Sequence, residues 1–209
     1  MRILKLKRYV PVKVVLFCLA LMLTHQALSQ SFIEGTHYSI VESSKPPSKN
    51  KETVEYFSFS CPGCFAMEAH IGPLKAALPS LTLRRVHLPF GGRNAKLSQK
   101  AFVLIELLNA NQHHQDVFNR IHLQNKAFND EPELIAFFQT LGYDELEITK
   151  ALNSFSADTL VRKMNNEAIN YKVRTVPTII VNGKYRVDVN AVFSGTDLTA
   201  LIKYLNRLP

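Results

Sequence analysis

Two cysteines separated by two residues constrain this chain more than any other feature of its sequence. Cys61 and Cys64 follow the β-branched and aromatic run Thr53–Phe59, which has the composition of a buried strand. A helix is predicted to begin at the cysteines, with Pro62 in its first turn, where the N–H that proline lacks has no partner anyway. The same spacing can hold a metal ion, close a small disulfide or exchange disulfides with another protein.

The N-terminus has the pattern of an export signal. Five basic residues come before or directly at the start of an apolar run of ten residues, Val14–Leu23. A membrane-spanning helix needs about 20 apolar residues, so residues 1–29 are predicted to be a cleaved signal peptide. The small residues Ala27 and Ser29 suit cleavage after Ser29. An uncleaved signal anchor is the alternative.

Removal of the signal changes both the charge and the number of cysteines. It takes five of the 25 Lys and Arg residues and none of the 17 Asp and Glu residues, so the formal charge falls from +8 to +3. Nucleic-acid binding is therefore not expected, and Arg84 with Arg85 is interpreted as part of a half-exposed strand. Cys18 leaves with the signal. A chain of about 180 residues can bury a core without a staple, which favours a chemical role for the remaining pair.

The predicted elements indicate one α/β core with helices inserted in its middle. In chain order they are a strand at 53–59, a helix from 61, a strand at 81–88, a helical block at about 94–171, a hairpin of strands at 178–181 and 185–188, and a last helix near 198–205. Gly72 and Pro73 are expected to kink or end the first helix. Asn182 and Gly183 supply a favoured hairpin turn.

A metal site fits the cysteine pair poorly. A closed zinc site needs four ligands, and no second cysteine pair remains after processing. His113 and His114 are adjacent in an Asn- and Gln-rich helix and are expected to face solvent. Soft thiolates suit copper(I), so a thiol-based copper-binding module stays open, although only Met67 and His70 lie near the pair. No metal and no other bound cofactor is expected.

Disulfide exchange fits the spacing better. The thiolate is the attacking species, and the unpaired N–H groups and the dipole at a helix N-terminus favour it at Cys61. Cys64, one turn further along, can reach Cys61 and resolve a mixed disulfide. An inert structural disulfide is the remaining alternative, but a bridge across so short a loop constrains the unfolded chain very little. Cys61 is therefore predicted to be the nucleophile and Cys64 the resolving cysteine.

Three stretches carry a family resemblance: "EYFSFSCPGCFAMEAH", "LPFGGRNAKLSQKAF" and "VRTVPTIIVNGKYRV". They resemble the DsbA group of bacterial periplasmic thiol:disulfide interchange proteins over nearly the whole mature chain. The resemblance implies an α/β thioredoxin fold, a central mixed β-sheet flanked by helices, that is interrupted by an inserted helical domain. The expected boundaries are 30–92 and 173–209 for the thioredoxin-like core and 93–172 for the helical domain. The expected location is the periplasm.

The resemblance also implies a substrate-binding surface beside the two cysteines. Pro177 matches the cis-proline that faces the active-site pair in this family, although base rates alone would favour an ordinary trans proline at the start of a strand. The backbone at Val176 would pair with an extended substrate chain. Pro62 and Gly63, between the cysteines, are expected to belong to the same surface.

Glu55 matches the acidic residue that this family keeps beneath the active site. A poorly solvated carboxyl group can exchange a proton near neutral pH, so a proton-relay role for Cys64 is expected. The alternative is an exposed strand glutamate paired with Arg84 or Lys51. Burial decides between the two.

The chain departs from the best-known family members between its cysteines, where it has Pro62 and Gly63 in place of Pro-His. A histidine would add a positive or hydrogen-bonding group near the Cys61 thiolate, so glycine predicts a weaker oxidant. An apolar surface for unfolded substrates, or else part of the core, is expected from Phe65, Met67, Phe90 and the Gly91-Gly92 turn.

These observations predict a periplasmic protein thiol:disulfide oxidoreductase. The first expectation is an oxidase that donates the Cys61–Cys64 disulfide to reduced or unfolded exported proteins. A reductase or isomerase is the alternative among enzymes, although no added dimerisation domain of the kind that periplasmic isomerases carry is expected. The resemblance implies a membrane quinone-linked, DsbB-like reoxidase as partner, and a monomer is expected.

Overall fold

The computed structural model describes residues 31–43, 51–92 and 94–209. The predicted signal peptide, residues 1–29 with Cys18, lies outside the described residues. Within them, no helix has both the length and the apolar character that crossing a membrane requires.

Five strands of the described residues form one mixed β-sheet. They are β1 (Tyr38–Ile40), β2 (Thr53–Phe57), β3 (Leu83–His87), β4 (Thr178–Val181) and β5 (Tyr185–Val187). Their order across the sheet is β1-β5-β4-β2-β3, with β2 parallel to β3 and every other neighbouring pair antiparallel. Every residue of β2 is buried, as its β-branched and aromatic composition predicts. This buried strand leads directly to the cysteines.

Eight helices accompany the sheet in the described part of the chain. They are α1 (Pro62–Ala77), α2 (Ala95–Leu107), α3 (His114–His122), α4 (Glu131–Thr140), α5 (Glu145–Leu152), α6 (Phe155–Asn170), α7 (Val189–Phe193) and α8 (Leu198–Leu205), and a 3-10 turn at Asn111–His113 precedes α3. Helices α2 to α6 fill the chain between β3 and β4, which confirms the predicted helical block. Side-chain oxygens of Asp130, Asp144 and Ser154 accept N–H groups in the first turns of α4, α5 and α6.

In the part of the chain that the structure describes, the buried side chains form two hydrophobic clusters. Neighbouring residues of a strand point to opposite faces of a sheet, and accordingly Ile180 belongs to the first cluster while Ile179 and Val181 belong to the second. The first cluster includes side chains of α2 to α6, and the second includes side chains of α1 and α8. Helix α1 contributes to both, with Cys64 in the first cluster and Met67 in the second. The cysteine turn, Cys61 to Cys64, therefore lies where the two clusters meet.

Helix α1 continues through the Gly72-Pro73 step and ends at Ala77, so the prediction that it could end there is wrong. Gly72 and Pro73 are exposed, and the amide hydrogen that proline lacks is lost on the solvent side of the helix. Ile71 and Leu74, on either side of this step, are buried and hold the helix against the core. Tertiary packing outweighs the local breaker signal here.

The hairpin between β4 and β5 is confirmed. Asn182 and Gly183 both have positive φ, 55° and 64°, as the central residues of the favoured hairpin turn require, and the Lys184 N–H donates to the Val181 carbonyl oxygen at 3.0 Å. Strand β1 and helix α7 were not predicted from the sequence, because elements of three and five residues are too short to show a periodic pattern.

Candidate active site

Cys61 and Cys64 lie at the start of α1 with different solvent access. Cys61 is the N-cap residue of the helix and is partly exposed, and its Sγ lies 3.5 Å from the carbonyl oxygen of Val176. Cys64 is fully buried, and its Sγ accepts the N–H of Ser58 at 3.4 Å. Both are free thiols. Substrate can therefore approach Cys61, while Cys64 is shielded beneath it.

The two thiols also differ in acidity. The hydrogen bond from the Cys64 thiol is the largest influence on Cys61 and lowers its pKa from 9.0 to about 6, with help from the N–H groups of Cys64 and Gly63 and against the effect of burial. The same hydrogen bond raises the pKa of Cys64, as do burial and the negative charges of Cys61 and Glu55. At neutral pH the arrangement holds a thiolate at Cys61 and a protonated thiol at Cys64.

A proline turn faces the cysteines. The Val176–Pro177 peptide bond is cis, the isomer that the resemblance implied. Pro177 is buried against Gly63, where an added Cβ would lie 3.3 Å from Cδ of Pro177 and 3.8 Å from Sγ of Cys61. Gly63 is thus the point of close approach between the proline turn and the cysteine turn, and a side chain there would require a small shift of the proline ring. Pro62 is exposed.

Glu55 is fully buried on β2. Its Oε2 accepts a hydrogen bond from Arg85 Nε at 2.9 Å, and Nη2 of the same arginine donates to Glu68 at 2.7 Å. Burial raises the pKa of Glu55, and the charge of Arg85 opposes this rise. The alternative of an exposed glutamate paired with Arg84 or Lys51 is wrong, because β2 is covered on both faces. One oxygen, Oε1, has no hydrogen-bond partner among the described residues.

One prediction about exposure near the site is wrong, and one alternative that the sequence left open is decided. His114 is buried, not solvent-facing, and packs against the rings of Phe57 and Phe59. His113 ends the 3-10 turn and is half-buried, whereas His114 begins α3 and is buried, so the adjacent histidines do not share one environment. Burial lowers the pKa of His114 to about 4. Of the residues expected in an apolar surface or else in the core, Met67 is fully buried in the core, whereas Phe65 is partly exposed.

Two further histidines contact the chain just before the cysteines, and neither contact was predicted from the sequence. Nε2 of His87 accepts the N–H of Phe59 at 2.9 Å, and Nε2 of His122 lies 2.7 Å from the carbonyl oxygen of the same residue. His122 belongs to α3, far away in sequence, so no local pattern could have placed it here. Within the described residues, no group of three or more His, Cys, Asp or Glu side chains could hold a metal ion.

Comparison with known proteins agrees with this geometry. A family model described as DSBA-like thioredoxin domain matches residues 52–206. The thiol:disulfide interchange protein DsbA of Pseudomonas aeruginosa is 31% identical over 183 residues, 86% of each chain. That of Haemophilus influenzae is 32% identical over 159 residues, 74% of this chain and 76% of the relative.

The fold agrees too. The crystal structure of Pseudomonas aeruginosa DsbA superimposes with a TM-score of 0.70 at 30% identity, covering 84% of this chain and 93% of that chain. The mixed five-stranded sheet and the helices between β3 and β4 are the thioredoxin fold with the helical insertion that was expected. The chain therefore belongs to the family of DSBA-like thioredoxin domains and is a thiol:disulfide oxidoreductase.

Proposed function

We propose that the protein is a periplasmic oxidase that donates the Cys61–Cys64 disulfide to reduced or unfolded exported proteins. The observation that carries this proposal is the pairing of an accessible Cys61, whose pKa is lowered to about 6, with a fully buried Cys64. A stabilised thiolate makes Cys61 a good leaving group and stabilises the reduced form, so the disulfide is readily given up.

The reaction takes two exchange steps. A substrate thiolate attacks Sγ of Cys61, the Cys61–Cys64 bond breaks, and the Cys64 sulfur leaves with the electron pair. Because the pKa of Cys64 is raised, this sulfur takes up a proton, and we assign Glu55 as the group that relays it. A second substrate thiolate then attacks the substrate sulfur of the mixed disulfide, and Cys61 leaves as a thiolate. The substrate loses two electrons and the protein gains them.

Substrate would bind along the proline turn. The carbonyl oxygen of Val176 lies 3.5 Å from the Cys61 sulfur, so an extended chain that pairs with this backbone would bring its cysteine to Cys61. Pro177, Pro62 and Gly63 would line the same surface. A DsbA of Proteus mirabilis, which shares the fold at a TM-score of 0.69 and 22% identity, was solved with a non-covalently bound peptide that contains a cysteine. A short peptide with one cysteine is therefore a suitable binding probe.

The remaining parts of the proposal concern organisation and partners. The thioredoxin-like core would comprise residues 30–92 and 173–209, and the helical domain residues 93–172. A monomer would act on its substrates after removal of residues 1–29 as a signal peptide. A membrane quinone-linked reoxidase would restore the disulfide by taking two electrons from the reduced pair.

The equilibrium reduction potential in glutathione buffers tests the direction of the reaction. Thiol alkylation reports the redox state, since the chain has no tryptophan. Reference potentials are about −120 mV for DsbA and about −270 mV for thioredoxin. We expect a value at or above about −180 mV but below that of DsbA, because Gly63 adds no group that stabilises the Cys61 thiolate. A value near that of thioredoxin would contradict the oxidase and support a reductase.

Gly63→His is the matched variant for the effect of the dipeptide. It should raise the potential above that of the wild-type protein, provided that Pro177 yields the few tenths of an ångström that the new Cβ needs. An unchanged or lower potential in a folded Gly63→His protein would contradict the assigned effect of glycine.

A further inference from the structure

Both backbone polar groups of Phe59, just before the cysteines, are hydrogen-bonded to histidines from different parts of the fold. His87 on β3 accepts its N–H at 2.9 Å, and His122 at the end of α3 contacts its carbonyl oxygen at 2.7 Å. Phe59 itself is fully buried. The segment that enters the cysteine turn is therefore tied to the sheet and to the helical block at one point.

The hydrogen bonds fix which nitrogen of each ring carries a proton. A carbonyl oxygen only accepts, so Nε2 of His122 must carry the hydrogen and donate it to Phe59. A backbone N–H only donates, so Nε2 of His87 must present its lone pair. His87 is fully buried, and burial holds its pKa well below the usual value. The two histidines have opposite roles and cannot replace each other.

His122 also touches the chain on the other side of the cysteines. Its ring stacks on Phe65, the residue after Cys64, with centroids 4.9 Å apart and planes inclined by 11°. Phe65 lies in the first turn of α1. One side chain of the helical block therefore contacts both the residue two positions before Cys61 and the residue directly after Cys64.

This double contact affects the chemistry because the acidity of Cys61 depends on where its sulfur lies relative to the neighbouring N–H groups. The N–H groups of Gly63 and Cys64 stabilise a thiolate only while they point at Sγ. The N–H of Cys61 bonds the carbonyl oxygen of Ser58 at 3.1 Å, so a displacement of Phe59 is passed on to Cys61 through one tight turn. A group that holds Phe59 in place therefore also holds the Cys61 sulfur in place relative to these N–H groups.

We propose that His122 is a positioning residue that holds the cysteine turn through its hydrogen bond to the Phe59 carbonyl, so that the helical block sets the reactivity of Cys61. His122 acts through Phe59 and needs no contact with the sulfur. The inference rests on the proposed function for its role in catalysis. Its effect on Cys61 is measured without substrate.

Three substitutions separate the hydrogen bond from the stack. His122→Phe keeps an aromatic ring on Phe65 and removes the donor. His122→Gln places an amide N–H where Nε2 stands and removes the ring. His122→Asn has an amide too short to reach the Phe59 carbonyl and is the second variant without the donor, in case the first does not fold.

The Cys61 thiolate is titrated by its ultraviolet absorbance, and the redox equilibrium is measured against glutathione. We expect His122→Phe and His122→Asn to raise the pKa of Cys61 and to shift the equilibrium towards the disulfide by about two- to tenfold, the range for one net hydrogen bond. His122→Gln should stay within about twofold of the wild-type protein.

His113→Gln is the matched control, because His113 bonds Asp116 at 2.7 Å and contacts neither flank of the cysteines. It should leave both quantities unchanged. Urea unfolding is measured in parallel, since a merely structural histidine would lower stability without changing the acidity of Cys61. The proposal is overturned if the variants without the donor titrate like the wild-type protein, or if His122→Gln shifts as far as His122→Phe. A wild-type potential near that of thioredoxin would instead contradict the proposed oxidase function. The differences between the variants would still support the positioning role of His122.

Discussion

At the scale of single residues, the acidity of Cys61 depends first on the thiol of Cys64, which donates a hydrogen bond to it. Removing that donor should therefore make Cys61 less acidic. We expect Cys64→Ala to raise the pKa of Cys61 from about 6 towards its ordinary value of 9.0, and to slow alkylation of Cys61 at pH 7 roughly in proportion to the lost thiolate. Cys64→Ser, which keeps a donor, should show a smaller rise.

The pH profile of iodoacetamide alkylation measures this change. In the wild-type reduced protein, Cys61 should react with a midpoint near pH 6, and buried Cys64 should stay unmodified. If Cys64→Ala and Cys64→Ser shift the midpoint equally, the hydrogen bond is not the main cause of the acidity.

Glu55 should make stability depend on pH in a direction unusual for a carboxylate. Its pKa is raised above 4.5 in the folded protein, so the folded state binds its proton more tightly than the unfolded state does. The stability that this proton contributes is complete below about pH 4.5 and is lost as the pH rises through the folded-state pKa. We expect Glu55→Gln to abolish this decline, measured as the urea unfolding free energy from pH 4.5 to 8.

Glu68 is the matched contrast, since it shares Arg85 with Glu55. The pKa of Glu68 is lowered: burial alone would raise it, but His114, whose Nε2 lies 3.5 Å from Oε1, and Arg85, whose Nη2 donates at 2.7 Å, outweigh burial. Its contribution is complete above about pH 4.5 and is lost as the pH falls through the folded-state pKa. Glu68→Gln should therefore destabilise the protein at pH 7, by about 1.5–3 kcal/mol for a lost charged hydrogen bond. Parallel pH profiles for the two variants would contradict the assignment.

The sequence could predict the residues whose role is written in a local pattern. Cys61 and Cys64 show their spacing, and Pro177 lies in a motif that carries the family resemblance. Glu55 could be matched to the acidic residue of the family, but its burial could not be predicted, because that depends on helices from elsewhere in the chain that cover β2. His122 could not be found at all, since its contact with Phe59 exists only after α3 has packed against the cysteine turn.

At the scale of elements, the loop after β3 supports the cysteine turn through Gly91. Its φ is +92°, and an added Cβ would lie 3.0 Å from the carbonyl oxygen of Ser60 and 3.2 Å from the N atom of Cys61. These are backbone atoms that cannot rotate away. Gly92 has φ +139° and no heavy atom within 4 Å of an added Cβ. A substitution at Gly92 therefore introduces backbone strain alone, whereas one at Gly91 introduces both backbone strain and a steric clash.

We expect Gly91→Ala to cost more stability than Gly92→Ala. In both variants alanine adopts a backbone conformation that L-residues disfavour, which lowers the free energy of unfolding by about 1–2 kcal/mol. Gly91→Ala also displaces Ser60 and Cys61, so it should slow Cys61 alkylation, whereas Gly92→Ala should leave that rate unchanged. Urea unfolding and the alkylation rate measure the two effects. Equal alkylation rates in the two variants would show that the loop does not support Cys61.

Elements with a long or distinctive pattern could be predicted from the sequence, and short ones could not. The helical block and the hairpin at Asn182 and Gly183 were found because periodicity and turn chemistry are local. Strand β1 depends on pairing with β5, and α1 continues past Pro73 because Ile71 and Leu74 are anchored in the core. Both outcomes are decided by contacts between distant residues, which override local propensity.

At the scale of the whole molecule, α1 joins the two hydrophobic clusters and places the cysteine turn between them. Cys64 packs with the first cluster, while Ile71 and Leu74 pack with the second. The folded protein thus holds the reduced pair in a fixed arrangement that the unfolded chain lacks. Folding and reduction of the pair form a closed thermodynamic cycle. The difference in folding stability between the reduced and the disulfide form therefore equals the change that folding makes in the free energy of reduction.

We expect the reduced protein to be more stable than the disulfide form, even though a disulfide restricts the unfolded chain. The bridge closes a very short loop, so that restriction is small, whereas reduction places a stabilised thiolate at Cys61. Every 30 mV by which folding raises the potential of the pair corresponds to about 1.4 kcal/mol in favour of the reduced form.

Urea unfolding of the two redox forms at pH 7 measures the difference directly, with Cys61→Ala as a control that should not respond to the redox buffer. The lowered pKa of Cys61 stabilises the reduced fold fully above about pH 9, and this contribution is lost as the pH falls through about 6. The gap between the two forms should therefore narrow from pH 9 to pH 6. A disulfide form that is the more stable one at pH 7 would contradict the oxidase, because folding would then make the pair harder to reduce.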